Sequence, residues 1–173
     1  MFEQARFLGP TESSIVVQTR AGTDIPNLVE VKPGYREIQL YGLLLKRFGA
    51  NWIERKPASG VYNCAGHVWA SRRTAILETK HWNTILRDDG YRKLAETEQP
   101  RVGDLVLYID NVHGDYLHVG QVVELREGVS PTSPHVPWVL SKWNSTSGET
   151  LHSAYDAPYE QMRQEYWTDR PIE

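Results

Sequence analysis

The sequence predicts an α+β chain, with helices in its first part and an antiparallel sheet after them. Apolar residues recur at helical spacing through Tyr35–Phe48. Short apolar runs bounded by Gly, Pro, Asp and Asn fill residues 104–155, and strands that follow one another across brief loops favour antiparallel neighbours. The chain has 173 residues, 40% hydrophobic and 24% charged, so it reads as one globular unit of ordinary composition and not as a disordered or collagen-like chain.

Ser14–Thr19 is a β-rich run inside an irregular lead-in. Ile38, Leu40, Tyr41, Leu44, Leu45 and Phe48 would share the buried face of a helix over Tyr35–Phe48, stopped by Gly49. Asn51–Gly60 reads as a polar connection. A second helix is expected from Cys64 to about Thr79 with Asn63 as its N-cap, and a third from Trp82 to Asp88, ended by Gly90. Asp88-Asp89-Gly90 is then a helix end and not a metal site. Four strands follow: Asp104–Ile109, His118–Leu125, Pro137–Trp143 and Glu149–Tyr155. Residues 1–50 are expected to pack as an extension on a core spanning 51–173.

The net charge of −3 offers no basic field for nucleic acid, and no apolar stretch is long enough to span a bilayer. Met1–Arg6 lacks the pattern of a secretory leader, so the expectation is a cytoplasmic chain, although a dedicated export machine or release by lysis would leave no such mark. No Gly-x-Ser-x-Gly elbow, phosphate-binding glycine loop or His-Glu-x-x-His motif is present, and neither a cofactor nor a metal is expected.

Cys64 is the only cysteine, which excludes an internal disulfide and a multi-cysteine zinc site. It is either a small buried hydrophobe or a working thiol. A helix start favours the thiolate through its free amides and positive dipole end. Among the histidines, His67 lies one helical turn from Cys64, an awkward geometry for proton transfer that suits packing or lining. His118 begins a strand two residues before Gly120, and a residue without a side chain there would let another backbone, such as a helix carrying the nucleophile, come close.

Four segments in order carry a resemblance. Asn63-Cys64-Ala65-Gly66-His67-Val68 is similar to the Asp-Cys-Ser-Gly-Leu-Val signature of the NlpC-type papain-like cysteine peptidases. Val102-Gly103-Asp104-Leu105-Val106 resembles that family's Pro-Gly-Asp-Leu-Val, His118-Val119-Gly120 its His-Val-Gly, and Ala157-Pro158-Tyr159 its Ser-Pro-Tyr. The match spans roughly residues 60 to 160. It implies a papain-like fold with the nucleophile helix packed on the sheet, and a cysteine peptidase or amidase working through a thioester. Cys64 would be the nucleophile, His118 the base, and the amides at the helix start an oxyanion hole. Tyr62, Asn63 and Ala65 would lie near the oxyanion or substrate, with His67 and Arg72 as further substrate contacts. The third polar residue, which orients the histidine, falls near Ser141, with Asn144 and His152 as rivals. Lys142 suits that place poorly, because a cation disfavours an imidazolium.

The family usually has an acid before the nucleophile and a serine after it, which help hold a free amine of a cell-wall peptide. Asn63 and Ala65 stand there instead, so the stem-peptide specificity is not expected. The expected partner is a peptide or amide substrate, including an isopeptide or a whole protein. An inactive binding module of the same fold and a thioester-dependent acyltransferase are the alternatives.

Overall fold

The computed structural model describes residues 14–28, 33–130, 133–158 and 161–171. Its centre is one seven-stranded sheet in which every pairing is antiparallel. The elements in chain order are α1 (Tyr35–Phe48), β1 (Trp52–Lys56), α2 (Cys64–Trp69), α3 (Lys80–Asp88), β2 (Arg92–Lys93), β3 (Leu105–Asp110), β4 (Tyr116–Ser130), β5 (Ser133–Ser141), β6 (Glu149–Ser153) and β7 (Met162–Thr168). The strand order is β1-β6-β5-β4-β3-β7-β2. Among the described residues no helix is long and apolar enough to cross a membrane.

The period-two alternation of the strands builds a core on each face. On one face Leu105, Leu107, Ile109 and Val119 meet α2 and α3 through Cys64, Ala65, Trp82, Ile85 and Leu86. On the other, Val106, Tyr108, Val122 and Val139 meet Trp52, Trp143 and Ala154, with Leu44, Leu45 and Phe48 of α1 packed against them. α1 has the expected bounds, and Gly49, at φ 53°, turns the chain out of it. Its buried stripe is narrower than the sequence predicts: Tyr41 is buried, whereas Ile38 and Leu40 are about half exposed.

Several elements differ from the sequence-based expectation. Ser14–Thr19 is not a strand of the sheet. Residues 14–28 instead run as an extended strap with isolated bridges at Gln18–Asp24 and Leu28–Ala75. Its Val17 and Ile25 enter the helix-side core, while Thr19 and Thr23 donate to Asp88. The polar connection at 51–60 contains the edge strand β1, which buries only Trp52 and exposes the rest. β2 and β7 are additional strands, and β7 lies directly beside β3. The helix begun at Cys64 ends at Trp69, ten residues short of the expected Thr79. Ser71 and Arg72 take left-handed backbone angles, φ 50° and 65°, which no helix accommodates.

Two contacts fold the chain back there. Asn63 accepts from Gly66 N at 2.9 Å and from Ile76 N at 3.1 Å, and donates to Ile76 O at 2.7 Å. Gly66 leaves the space that the Thr74 carbonyl occupies, so a Cβ at Gly66 would overlap that oxygen. Close approach of backbone is thus made at Gly66 and not at Gly120, whose missing Cβ is crowded by the side chains of Val139 and Ser141 on the neighbouring strand.

Gly66→Ala is expected to destabilise the fold by about 3 kcal/mol, since neither backbone can yield easily. Gly42→Ala, in the open interior of α1 with nothing near the new methyl group, should stabilise it by roughly 0.5–1 kcal/mol. Urea unfolding of the two variants measures both; equal midpoints would refute the close approach.

Candidate active site

The position of Cys64 follows from its neighbours. Asn63, capping α2, makes Cys64 the first helical residue, and the helix lies against β4 with the thiol in the helix-side core. Cys64 is 9% exposed. Burial pushes the thiol up to about 11, against the backbone amides of Val119, Ala65 and Cys64 and the charge of Lys142, which favour the thiolate.

His118 adjoins Val119 and points the other way. Val119 packs with Cys64, whereas the His118 ring lies on Trp143, with centroids 3.9 Å apart and planes 18° from parallel, and beside Tyr108 at 5.5 Å. Its Nε2 is buried and, among the described residues, has no hydrogen-bond partner. Burial holds the imidazole well below its ordinary range, helped by His152 and His67. Cys64 and His118 therefore meet β4 from opposite faces, linked by the backbone at Val119. A bulge between Tyr108 and Ile109 in the β3–β4 register falls at Leu117, immediately before His118. Bulges of this kind re-aim the side chains beside them.

Ser141 does not orient His118. Its hydroxyl lies 2.8 Å from His152 Nε2, which also accepts from Trp143 Nε1 at 3.1 Å. An indole can only donate, so His152 carries its proton on Nδ1, which donates to Ser153 O at 2.8 Å. Asn144, the other rival, shapes its own turn by accepting from Thr146 N and Thr146 Oγ1. The side chain beside the His118 ring is Trp143.

The remaining predicted contacts form a buried polar network. Glu149, at the start of β6, is 1% exposed. It accepts from Tyr62 Oη at 2.5 Å and from Arg72 at 2.6 and 3.3 Å, and it lies 3.5 Å from His67 Nδ1. Burial would raise its carboxyl, but His67, Arg72 and Tyr62 together hold it well below the ordinary carboxylate range. Tyr62 is thus committed to Glu149, and the His67 ring stacks on the Tyr62 ring at 6.4 Å with Nδ1 near the carboxylate but, among the described residues, without a hydrogen bond. Asn63 is committed to its cap, and Ala65 is fully buried. Of the predicted substrate contacts only Arg72 reaches an open surface, where it lines a groove of about 490 Å³ with Arg55, Lys56, Val123, Leu140 and Leu151.

Sequence reasoning did not single out Glu149, and it set Lys142 aside. Lys142 is fully buried and donates to the carbonyls of Ser59, at 2.5 Å, and Ser147. The available signal was a charged residue inside each of two apolar strand patterns, at 142 and 149. Among the described residues no group of three His, Cys, Asp or Glu side chains is placed to hold a metal ion.

Compared with family models, with curated proteins and with solved structures, the chain matches none.

His152 gives the fold a pH dependence. Burial pushes its imidazole down to about 4, against the Ser153 carbonyl that raises it. Below pH 6.5 the unfolded chain takes up a proton that the folded chain refuses. The stabilisation is therefore complete above about pH 6.5 and is lost as pH falls through 4, a change of about 3 kcal/mol. Urea unfolding at pH 7 and pH 4 should show this loss, and His152→Gln should reduce it. An unchanged difference in the variant would assign the loss to other groups.

Proposed function

We propose that the chain is a cysteine hydrolase of peptide, isopeptide or amide bonds, of the NlpC-like, papain-like kind that its four ordered motifs resemble. The observation that carries this reading is the placement of a single cysteine at the start of a capped helix, with three backbone amides favouring its thiolate and the residue beside one of them being a histidine with an unpartnered buried nitrogen. In this reading Sγ of Cys64 attacks the substrate carbonyl and the amides at the helix start receive the charge on its oxygen. His118 takes the thiol proton and gives it to the departing amine, and water then hydrolyses the thioester.

Both groups rest neutral, as a thiol raised to about 11 and an imidazole held low. Proton transfer then accompanies attack and does not precede it. The hydrolase reading therefore requires the imidazole to leave Trp143 and reach the sulfur from the opposite face of β4.

The stacking of His118 on Trp143 also favours a second reading, an inactive module of the same fold that binds a peptide without cleaving it.

Peptide, isopeptide and amide panels followed by mass spectrometry separate the two. Hydrolysis predicts product release that Cys64→Ala abolishes and His118→Ala lowers by about 10²–10⁴-fold. An acyl adduct on Cys64 should be visible on acid quenching. Turnover that survives Cys64→Ala would overturn the hydrolase, and peptide binding with no turnover would establish the module. An adduct resolved by an amine but not by water would make the chain an acyltransferase.

A further inference from the structure

Lys142 has no part in the reaction as written, yet its burial and contacts are unusual for a lysine. The β4–β5 ladder ends with Gln121 paired to Leu140, and Ser141 runs on beside Gly120, so Lys142 follows just past the strand's end. Side chains alternate along β5, and Ser141 turns to His152 in the aromatic core. Lys142 therefore turns to the face that carries Val119 and Cys64. Its ammonium bonds the Ser59 carbonyl, in the loop leading to α2, and the Ser147 carbonyl, in the turn before β6. It also lies 5.0 Å from the centre of the Tyr62 ring, two residues before Cys64.

Among the described residues Lys142 makes no ion pair, because the nearby carboxylate of Glu149 is engaged by Tyr62, Arg72, His67 and Lys56. An ammonium buried on carbonyls alone is expensive, and an apolar side chain would fill the space at lower cost. Stability does not explain its presence.

We propose that Lys142 is a positioning residue for Cys64: it ties the loop before α2 to the turn before β6 and supplies the positive charge that stabilises the Cys64 thiolate. This rests on Cys64 being the reacting thiol, as in the hydrolase reading. It gives an occluded thiol a local counter-charge that a substrate can exploit once the site opens.

The charge has a signature in the pH dependence of alkylation. Burial pushes Lys142 down to about 8, against Glu149 and Cys64, which raise it. While Lys142 is charged, the thiolate fraction rises tenfold per pH unit. Once Lys142 loses its proton, the species with a charged lysine and a thiolate carries the same number of protons as the neutral pair. Its share stays constant, and the rate levels off until the thiolate without its counter-charge takes over.

The other groups on the helix side of the pair are Tyr62, His67, Arg72, Lys56 and Glu149, with His118 across β4. Tyr62 is held up by burial and by Glu149, Arg72 is held up by Glu149, and His118 and Glu149 are held down. These four do not change charge between pH 7 and 10. The experiment is repeated in His67→Gln and Lys56→Gln backgrounds to remove the two remaining basic side chains.

Iodoacetamide alkylation of Cys64, read by intact mass between pH 6 and 10, should rise with unit slope, bend to a plateau near pH 8, and rise again. Lys142→Met should react about tenfold more slowly at pH 7 and show unit slope throughout. Lys142→Arg should hold the neutral-pH rate and lose the bend. Wild-type alkylation with one straight slope overturns the proposal by itself, even if Lys142→Met fails to fold. A folded Lys142→Met with the wild-type profile also overturns it, and a slower rate that retains the bend assigns Lys142 a purely structural role. The measurement needs no substrate, so failure of the hydrolase reading would show in turnover while this profile stood.

Discussion

The buried carboxylate of Glu149 fixes where the thiol sits. It ties Tyr62, just before α2, and Arg72, just after it, to the first residue of β6, with His67 of α2 beside it. Six residues make a helix too short to hold its own place. Its position comes from this network and from the Asn63 clamp on Ile76. The cost of burying Glu149 is offset by the hydrogen bonds it accepts, and removing any of those donors leaves a buried charge short of partners. The network is therefore an all-or-none device, and the left-handed backbone at Arg72 belongs to it, since that turn carries the guanidinium back to the carboxylate.

β4 divides the chemistry between two environments. On the helix side the thiol meets backbone amides and a buried ammonium. On the other side His118 and His152 lie among Trp52, Tyr108 and Trp143, where a charged imidazole is disfavoured. The aromatic side holds the His118 imidazole neutral and its ring away from the sulfur. A preformed thiolate–imidazolium pair has no place in such an arrangement.

Local signals were legible and long-range ones were not. α1 was legible because its apolar period and Gly49 lie within one stretch, and the Asn63 cap because its partner Gly66 is three residues away. The length of α2 was not, since nothing local marks Ser71 and Arg72 as left-handed. That geometry answers to Glu149, 77 residues beyond Arg72. β1 escaped because an edge strand that buries only Trp52 looks polar. β7 escaped because Met162 and Tyr166 serve the aromatic core while Trp167 serves the helix-side core, which erases the simple apolar alternation. At the site, the motifs pointed to Cys64 and His118 as residues of the right chemistry. Which face of β4 each occupies depends on strand register and a bulge, and neither is written in a motif.

The burial of Lys142 connects these points. Ser141, Lys142 and Trp143 are consecutive and serve different ends: Ser141 and Trp143 hold His152, Trp143 covers His118, and Lys142 bonds the carbonyls of Ser59 and Ser147. β5 ends at Ser141, so Lys142 and Trp143 are past the ladder, where the backbone is no longer fixed by paired strands. Any motion that lifts Trp143 from His118 must pass through the residue next to it, and Lys142 is fastened at both Ser59 and Ser147. Displacing the Trp143 ring and displacing the Lys142 ammonium are coupled, because the two residues are adjacent at the end of one strand.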